Sequence, residues 1–355
     1  MRDERWDRLA DILVHYSTRV RPGEKVLINM METETQPAVE AVYQAVVRAG
    51  AYPEVYYSSD FLKHILLRDG TTEQVRWVPE VESYGMEWCD SYIGLRGSRN
   101  PFELASMPSD RLTLHRAAMG KVSTLRNKLT RWVLVKVPNE HFAQQASMSY
   151  DDAMRMFFDA TLRDWNQERA RLRGIAATFE RATRVRITGK GTDISFSTEG
   201  RKYLAGDGEF NMPDGEIFTA PVETSVNGTV WFEAAMYANR RIDGISLVVK
   251  DGVVVESHAD ENGEFLEQIL DMDGGSRRFG EFGVGLNWGI QRWTGEVLFD
   301  EKIGGTIHLA LGRAYEECGG VNQSSLHWDI VKDMREVGAI DLGSKRVFEN
   351  GELLV

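Results

Sequence analysis

With 355 residues, 42% of them hydrophobic and 27% charged, the sequence is long enough for two ordinary domains, each with its own core. A formal charge of -12 and no clustered basic tract exclude a nucleic-acid binder, which has to neutralise phosphates with a basic surface. The chain starts Met-Arg-Asp-Glu-Arg-Trp and contains no apolar run of roughly 18 residues, so neither a signal peptide nor a membrane span is expected and the cytoplasm is the default location.

Along the chain, residues 4–16 carry Trp6, Leu9, Ala10, Leu13 and Tyr16 at helical spacing, an amphipathic first helix. A strand over 25–30 is followed by Pro37, a periodic run over 39–49 and Gly50, the start and stop signals of a second helix. A strand over 55–57 completes a βαβ unit. The pattern continues through 73–88, a strand over 91–95, a helical stretch after Pro101 and a strand over 132–137, which together predict an open α/β sheet. Residues 151–183, rich in Ala, Arg, Glu and Leu without interior Pro, predict one or two bridging helices.

The texture then changes to short β-rich runs at 185–188, 194–198, 217–221, 229–233, 245–250 and 253–257, with Asp251-Gly252 as a hairpin turn. Only 263–272 reads clearly as helix in this half. The predicted architecture is an N-terminal open α/β sheet domain over 1–165, with its bridging helices, and a C-terminal, mostly antiparallel β domain with a few helices over 166–355. Cys89 and Cys318 are far apart and match no disulfide framework or metal knuckle, so both read as free thiols; Cys318 is a minor candidate for a soft ligand.

The chemistry concentrates in the second half. In Ser-Ser-Leu-His327-Trp-Asp329 strand alternation points residues 327 and 329 to one side and Trp328 into the packing behind them. Imidazole with carboxylate suits zinc, cobalt, manganese or iron, whereas a hard oxygen-only site would not recruit histidine. His308 follows Gly304-Gly305 and shares its strand face with the small residues Thr306 and Ala310, which leave room for an ion. Glu216 heads a predicted strand and Glu281 lies among residues that look buried, and a carboxylate buried without a partner is costly.

In chain order, Gly189-Lys-Gly-Thr-Asp193, the 211–221 segment, Gly280-Glu281-Phe-Gly, Asp300-Glu-Lys-Ile-Gly-Gly-Thr-Ile-His308, Tyr315, Gly319-Gly320 and Asn322-Gln-Ser-Ser-Leu-His327-Trp-Asp329 resemble the thermophilic aminopeptidase family, metallopeptidase family M29, the aminopeptidase T and aminopeptidase S group. The ordered set is far more specific than any one member. The resemblance implies a metallo-aminopeptidase acting on peptides, a homodimer, and a dinuclear centre of two divalent ions (Zn, Co, Mn or Mg) held by Glu216, Glu281, His308, His327 and Asp329. Two departures bear on the shape of the substrate pocket: the link between His308 and His327 is short, and Tyr315 is followed by Glu316 where proline is common.

Such a centre would activate a water and polarise the scissile carbonyl. Tyr315 would donate to the developing oxyanion, and Glu281 or Glu216 would carry the water proton to the leaving amine. The rival reading is a mononuclear non-haem iron ring-cleaving dioxygenase, whose relatives carry histidine where this chain has Glu281. A third is a silent scaffold of the same fold, which five intact ligands disfavour.

Overall fold

The structure, a computed structural model, describes residues 3–238 and 240–355. The chain divides into two compact units, Met1–Arg163 with Gly208–Pro213, and Asp164–Asp207 with Asp214–Val355.

The first unit is built on a five-stranded parallel sheet in the order Tyr52–Ser58, Lys25–Met31, Ser91–Arg96, Arg131–Lys136 and Asn211–Met212. Val26, Leu27, Ile28, Ile93, Leu95, Val133, Leu134 and Val135 are all buried, as expected for parallel strands covered on both faces. Pro53, which has no N–H to donate, lies in the edge strand, where one side of the ladder needs no donor. The first helix runs as Glu4–Asp11 and widens into a π-helical turn over Ile12–Ser17, burying Trp6, Leu9, Ala10, Leu13 and Val14. The 151–183 segment is two helices: Tyr150–Thr161 belongs to this unit, and Trp165–Glu180 belongs to the second and opens at Asp164, whose side chain accepts from the N–H groups of Asn166 and Gln167. Among the described residues no helix is long and apolar enough to cross a membrane.

The second unit is two antiparallel sheets. An eight-stranded sheet runs in the order Val253–His258, Arg240–Lys250, Asn227–Tyr237, Thr192–Ser197, Arg184–Gly189, Gly338–Leu342, Lys345–Glu349 and Glu352–Leu353. A five-stranded sheet runs His327–Asp333, Thr306–Gly312, Phe279–Gly285, Glu216–Thr219 and Leu204–Gly206. Both sheets send side chains into one core, where the rings of Phe196 and Phe282 meet edge to face at 5.2 Å. Ile217, Phe282, Val284, Ile307, Leu309, Leu311, Trp328 and Ile330 line that core, so by alternation Glu216, Glu281, His308, His327 and Asp329 occupy the opposite face of the five-stranded sheet. Trp328 packs in the core and donates its indole N–H to the Met236 carbonyl at 2.9 Å. Cys89 and Cys318 are buried free thiols.

Lys332, at the far end of the His327–Asp333 strand, buries its amine against the carbonyls of Lys190 (3.0 Å) and Trp231 (2.8 Å) and over the Trp231 ring. Burial, reinforced by Lys190, lowers its pKa to about 8. An amine whose pKa falls on folding binds fewer protons folded than unfolded, so stability is lowest below about 8 and climbs as pH rises towards the ordinary lysine value. Lys332→Met is expected to flatten that rise, worth at most ~3 kcal/mol. Denaturant midpoints of both proteins at about pH 7 and about pH 10 check it: parallel pH profiles would refute the assignment.

Candidate metal centre

Glycine chemistry and one irregular pairing aim the site residues. In the Phe279–Gly285 strand, Phe279 pairs with Leu311 but Glu281 pairs with Ala310, so Gly280 is an extra, bulged residue. Without the bulge Phe279 and Glu281 would share a face; with it, Phe279 enters the core while Glu281 turns to the other side. A Cβ on Gly280 would lie 2.3 Å from the Gly312 carbonyl oxygen, so this approach demands glycine. Gly283 pairs with His308, and a Cβ there would sit 2.0 Å from an imidazole carbon. The glycine-rich sequence that weakens Phe-Gly-Glu-Phe-Gly-Val-Gly as a strand signal is therefore what admits the histidine ring. Gly283→Ala is expected to expel His308 from its place, lowering metal content and stability by about 1–3 kcal/mol. Elemental analysis together with thermal unfolding checks this, and an unchanged metal content would show that the ring position is immaterial.

Four of the five expected side chains meet around Glu281. Its Oε1 lies 3.5 Å from His308 Nε2 and its Oε2 3.3 Å from His327 Nε2. Asp329 Oδ1 lies 3.6 Å from His327 Nε2, and donor atoms of Glu281, His327 and Asp329 all fall within 4.8 Å of one another. Glu216 is linked to the group through His308, its Oε2 standing 3.6 Å from Nε2. His327 Nδ1 donates to the Arg313 carbonyl at 2.8 Å, which commits that nitrogen as a donor and turns Nε2 towards the carboxylates. Tyr315 packs its ring edge-on to His327 at 5.2 Å and against Phe218 at 5.6 Å, with 40% of the residue exposed at the rim. Cys318 instead packs with Ala220 and Ala314, so it is a buried thiol and not a member of the group.

Two charged neighbours escaped the sequence reading. Lys302, only 1% exposed, places Nζ 2.9 Å from Glu216 Oε1 and also in contact with Glu301 Oε1. Both lie in the Asp300-Glu-Lys segment already singled out by motif, whose charged run beside Gly304-Gly305 was the available signal. Asp300 anchors this segment by accepting from Thr294 N and Oγ1 and from Gly295 N, each at 2.8 Å.

The electrostatics follow from the crowding. Burial works against the charge on Glu281, but the hydrogen bonds and charges of His308 and His327 outweigh it and hold the carboxyl down at about 2. Burial likewise opposes the imidazolium forms, yet the surrounding carboxylates raise His308 to about 10 and His327 to about 9. Burial raises Glu216 to about 8 against the pull of Lys302, and Asp329 to about 6 against that of His327. Burial and the four carboxylates Glu281, Asp329, Glu301 and Glu216 keep the Tyr315 phenol protonated.

Asp329 Oδ1, Glu216 Oε2 and His308 Nδ1 are buried without a hydrogen-bond partner. Buried acceptors left unpaired are costly, and Glu281, His327 and Asp329, whose donor atoms lie within 4.8 Å of one another, are a set that a divalent cation satisfies. The residues fit such an ion.

The comparisons with known proteins agree with this chemistry. A family model described as thermophilic metalloprotease (M29) matches residues 2–353. Aminopeptidase 2 of Geobacillus stearothermophilus is 25% identical over 98% of this chain and 94% of its own length. The wild-type AmpT structure from Thermus thermophilus covers 99% of both chains with a TM-score of 0.87 at 23% identity. A 2,5-dihydroxypyridine dioxygenase from Pseudomonas putida superposes over 98% of this chain and 96% of its own with a TM-score of 0.65 at 17% identity. At these identities both solved structures establish the fold.

Proposed function

Because the chain belongs to the thermophilic metalloprotease family M29, we propose that it is a metal-dependent aminopeptidase working from the face of the five-stranded sheet that carries Glu281, His327 and Asp329. The observation that carries this reading is the convergence of those three donors, with His308 on the other oxygen of Glu281. A divalent ion held there supplies Lewis acidity and a water of lowered pKa.

The remaining work falls to the chain. Glu281, His327 and Asp329 hold the ion, and His308 and Glu216 complete the donor set. The Arg313 carbonyl keeps His327 Nε2 turned inward. Glu281, with Glu216 as the alternative, takes the proton of the attacking water and passes it to the leaving amine. Tyr315, protonated and at the rim, donates its hydroxyl hydrogen to the oxyanion as it forms. A free substrate amine fits a centre this rich in carboxylate, which accounts for removal of single residues from an unblocked N-terminus. Five donors suffice for the two ions expected from the sequence; Glu216, one oxygen of which already faces an ammonium, is the member that decides between two ions and one.

Release of free amino acids from short unblocked peptides is expected to stop on treatment with EDTA and to return on addition of zinc, cobalt or manganese, while N-acetylated peptides stay intact. Release that survives complete metal removal would sink this reading. Uptake of oxygen with a hydroxylated pyridine, in protein loaded with ferrous iron, would instead favour the dioxygenase alternative, against which stands Glu281 in the place where those relatives carry histidine. We also propose a homodimer, which sedimentation as a monomer at micromolar concentration would exclude.

A further inference from the structure

We propose that Glu223, clasped by Arg201, is a positioning residue for Tyr315, whose role as oxyanion donor is taken from the reading above: the pair fixes the loop that carries the phenol, so that its hydroxyl is held where the oxyanion develops. Neither residue belongs to the metal-binding set.

Tyr315 lies just beyond the end of the Thr306–Gly312 strand and is 40% exposed. A group at the rim needs holding, because a reacting partner displaced by about 1 Å can forfeit about 10²-fold in rate. The loop is closed at its base by Ala314 N–H on the Asn322 carbonyl at 3.0 Å, and the Tyr315 carbonyl accepts inside it from the N–H groups of Cys318 at 3.2 Å and Gly320 at 3.0 Å. Asn322 ties the base down through its side-chain amide, on the carbonyls of Gly275 at 2.9 Å and Gly312 at 2.6 Å. These bonds fix the shape of the loop and its base, and leave the far side, from Cys318 to Val321, to be attached separately.

The bonds that attach that side lead to one pair. Val321 N–H donates to Glu223 Oε1 at 2.7 Å, while Glu223 Oε2 accepts from Arg201 Nη2 at 2.5 Å. Lys202, the residue after Arg201, donates its N–H to the Cys318 carbonyl at 3.1 Å. One carboxylate thus couples the end of the loop to the segment that holds its middle. Arg201 and Glu223 expose only 11% and 14% of their side chains, so the charge-assisted bonds between them are shielded from water and stronger than at the surface. Glu223 stands on fixed ground: Val222 N–H donates to the Ser197 carbonyl at 2.8 Å, and Ser225 Oγ accepts from Ser197 N–H at 2.9 Å. The clasp uses both oxygens of a carboxylate, and an amide has only one acceptor oxygen to offer.

The test is a double-mutant cycle on the full chain, metal-loaded, with a short unblocked peptide as substrate and metal content measured on every preparation. Glu223→Ala is expected to lower kcat about tenfold, with KM and metal content within about twofold of the wild type. Glu223→Gln, which can serve Val321 or Arg201 but not both, is expected to fall between the two. In a Tyr315→Phe background Glu223→Ala is expected to cost less than about twofold more, because the hydroxyl it positions is already gone. A loss as large in that background as in the wild type overturns the positioning role, as does an unchanged kcat in Glu223→Ala or a loss that follows metal content. If Glu223→Ala does not fold, Glu223→Gln carries the same cycle. Tyr315→Phe with the kcat of the wild type overturns the donor role of Tyr315 and the positioning with it, whereas an additive cycle beside an impaired Tyr315→Phe overturns the positioning alone.

Discussion

Glu281→Gln is expected to lower kcat/KM for peptide release by at least about 10²-fold, the lower end of what loss of a positioned acid–base group costs, and to lower metal content with it. The substitution keeps the shape and removes the charge. In the native chain one carboxylate oxygen faces His308 at 3.5 Å and the other faces His327 at 3.3 Å, so Glu281 touches both histidines of the centre. An amide in the same place has to turn its NH2 group towards one of those rings, exchanging an attraction for a competition between donors. On the proposed roles two effects coincide: a ligand is weakened, and the group that carries the proton is gone. Kinetics on short unblocked peptides with elemental analysis of the same preparations separate them. A variant that keeps both its metal and its turnover would remove Glu281 from the chemistry.

Tyr315→Phe is expected to lower kcat by about 10²- to 10³-fold, the usual cost of deleting one oxyanion donor, with KM and metal content nearly unchanged. The phenylalanine ring preserves the contacts to Phe218 and His327 and removes only the hydroxyl, so folding and ion binding should not follow the loss of activity. Partial burial and the nearby carboxylates push the phenol's pKa up and keep its proton in place, and a donor has to be protonated to serve. A loss of less than about twofold would mean that Tyr315 only packs against His327. These two substitutions divide the centre into a part that holds the ion and a part that acts on the substrate.

Much of this was legible along the chain. Alternating apolar and polar residues in Leu-His327-Trp-Asp329-Ile place two donors on one face because a strand has a period of two, whatever it pairs with. The same rule placed His308 opposite Ile307 and Leu309. The rule gives the wrong answer at Glu281, because Phe279 and Glu281 have the same parity and yet point to opposite faces. The bulge at Gly280 that separates them is a property of pairing with the Thr306–Gly312 strand. The strand itself was missed: its glycines are poor β-formers, present because a Cβ at Gly283 would overlap the His308 ring. The strands Gly338–Leu342 and Lys345–Glu349 also went unread, although their Val347, Phe348 and Ile340 lie in the core.

Residue chemistry and short-range periodicity were enough to tell the class of fold and to put His327 and Asp329 on one face of a strand, since each of these depends on residues only a few positions apart. The charge balance of the centre was not written in any local pattern. Glu216 and Lys302 stand 86 positions apart in the chain, and only folding puts a carboxylate and an ammonium 2.9 Å from each other beyond the reach of water. In open chain each would be an ordinary solvated charge; inside the sheet face they must answer one another, because a buried charge without a counter-charge is too costly to keep.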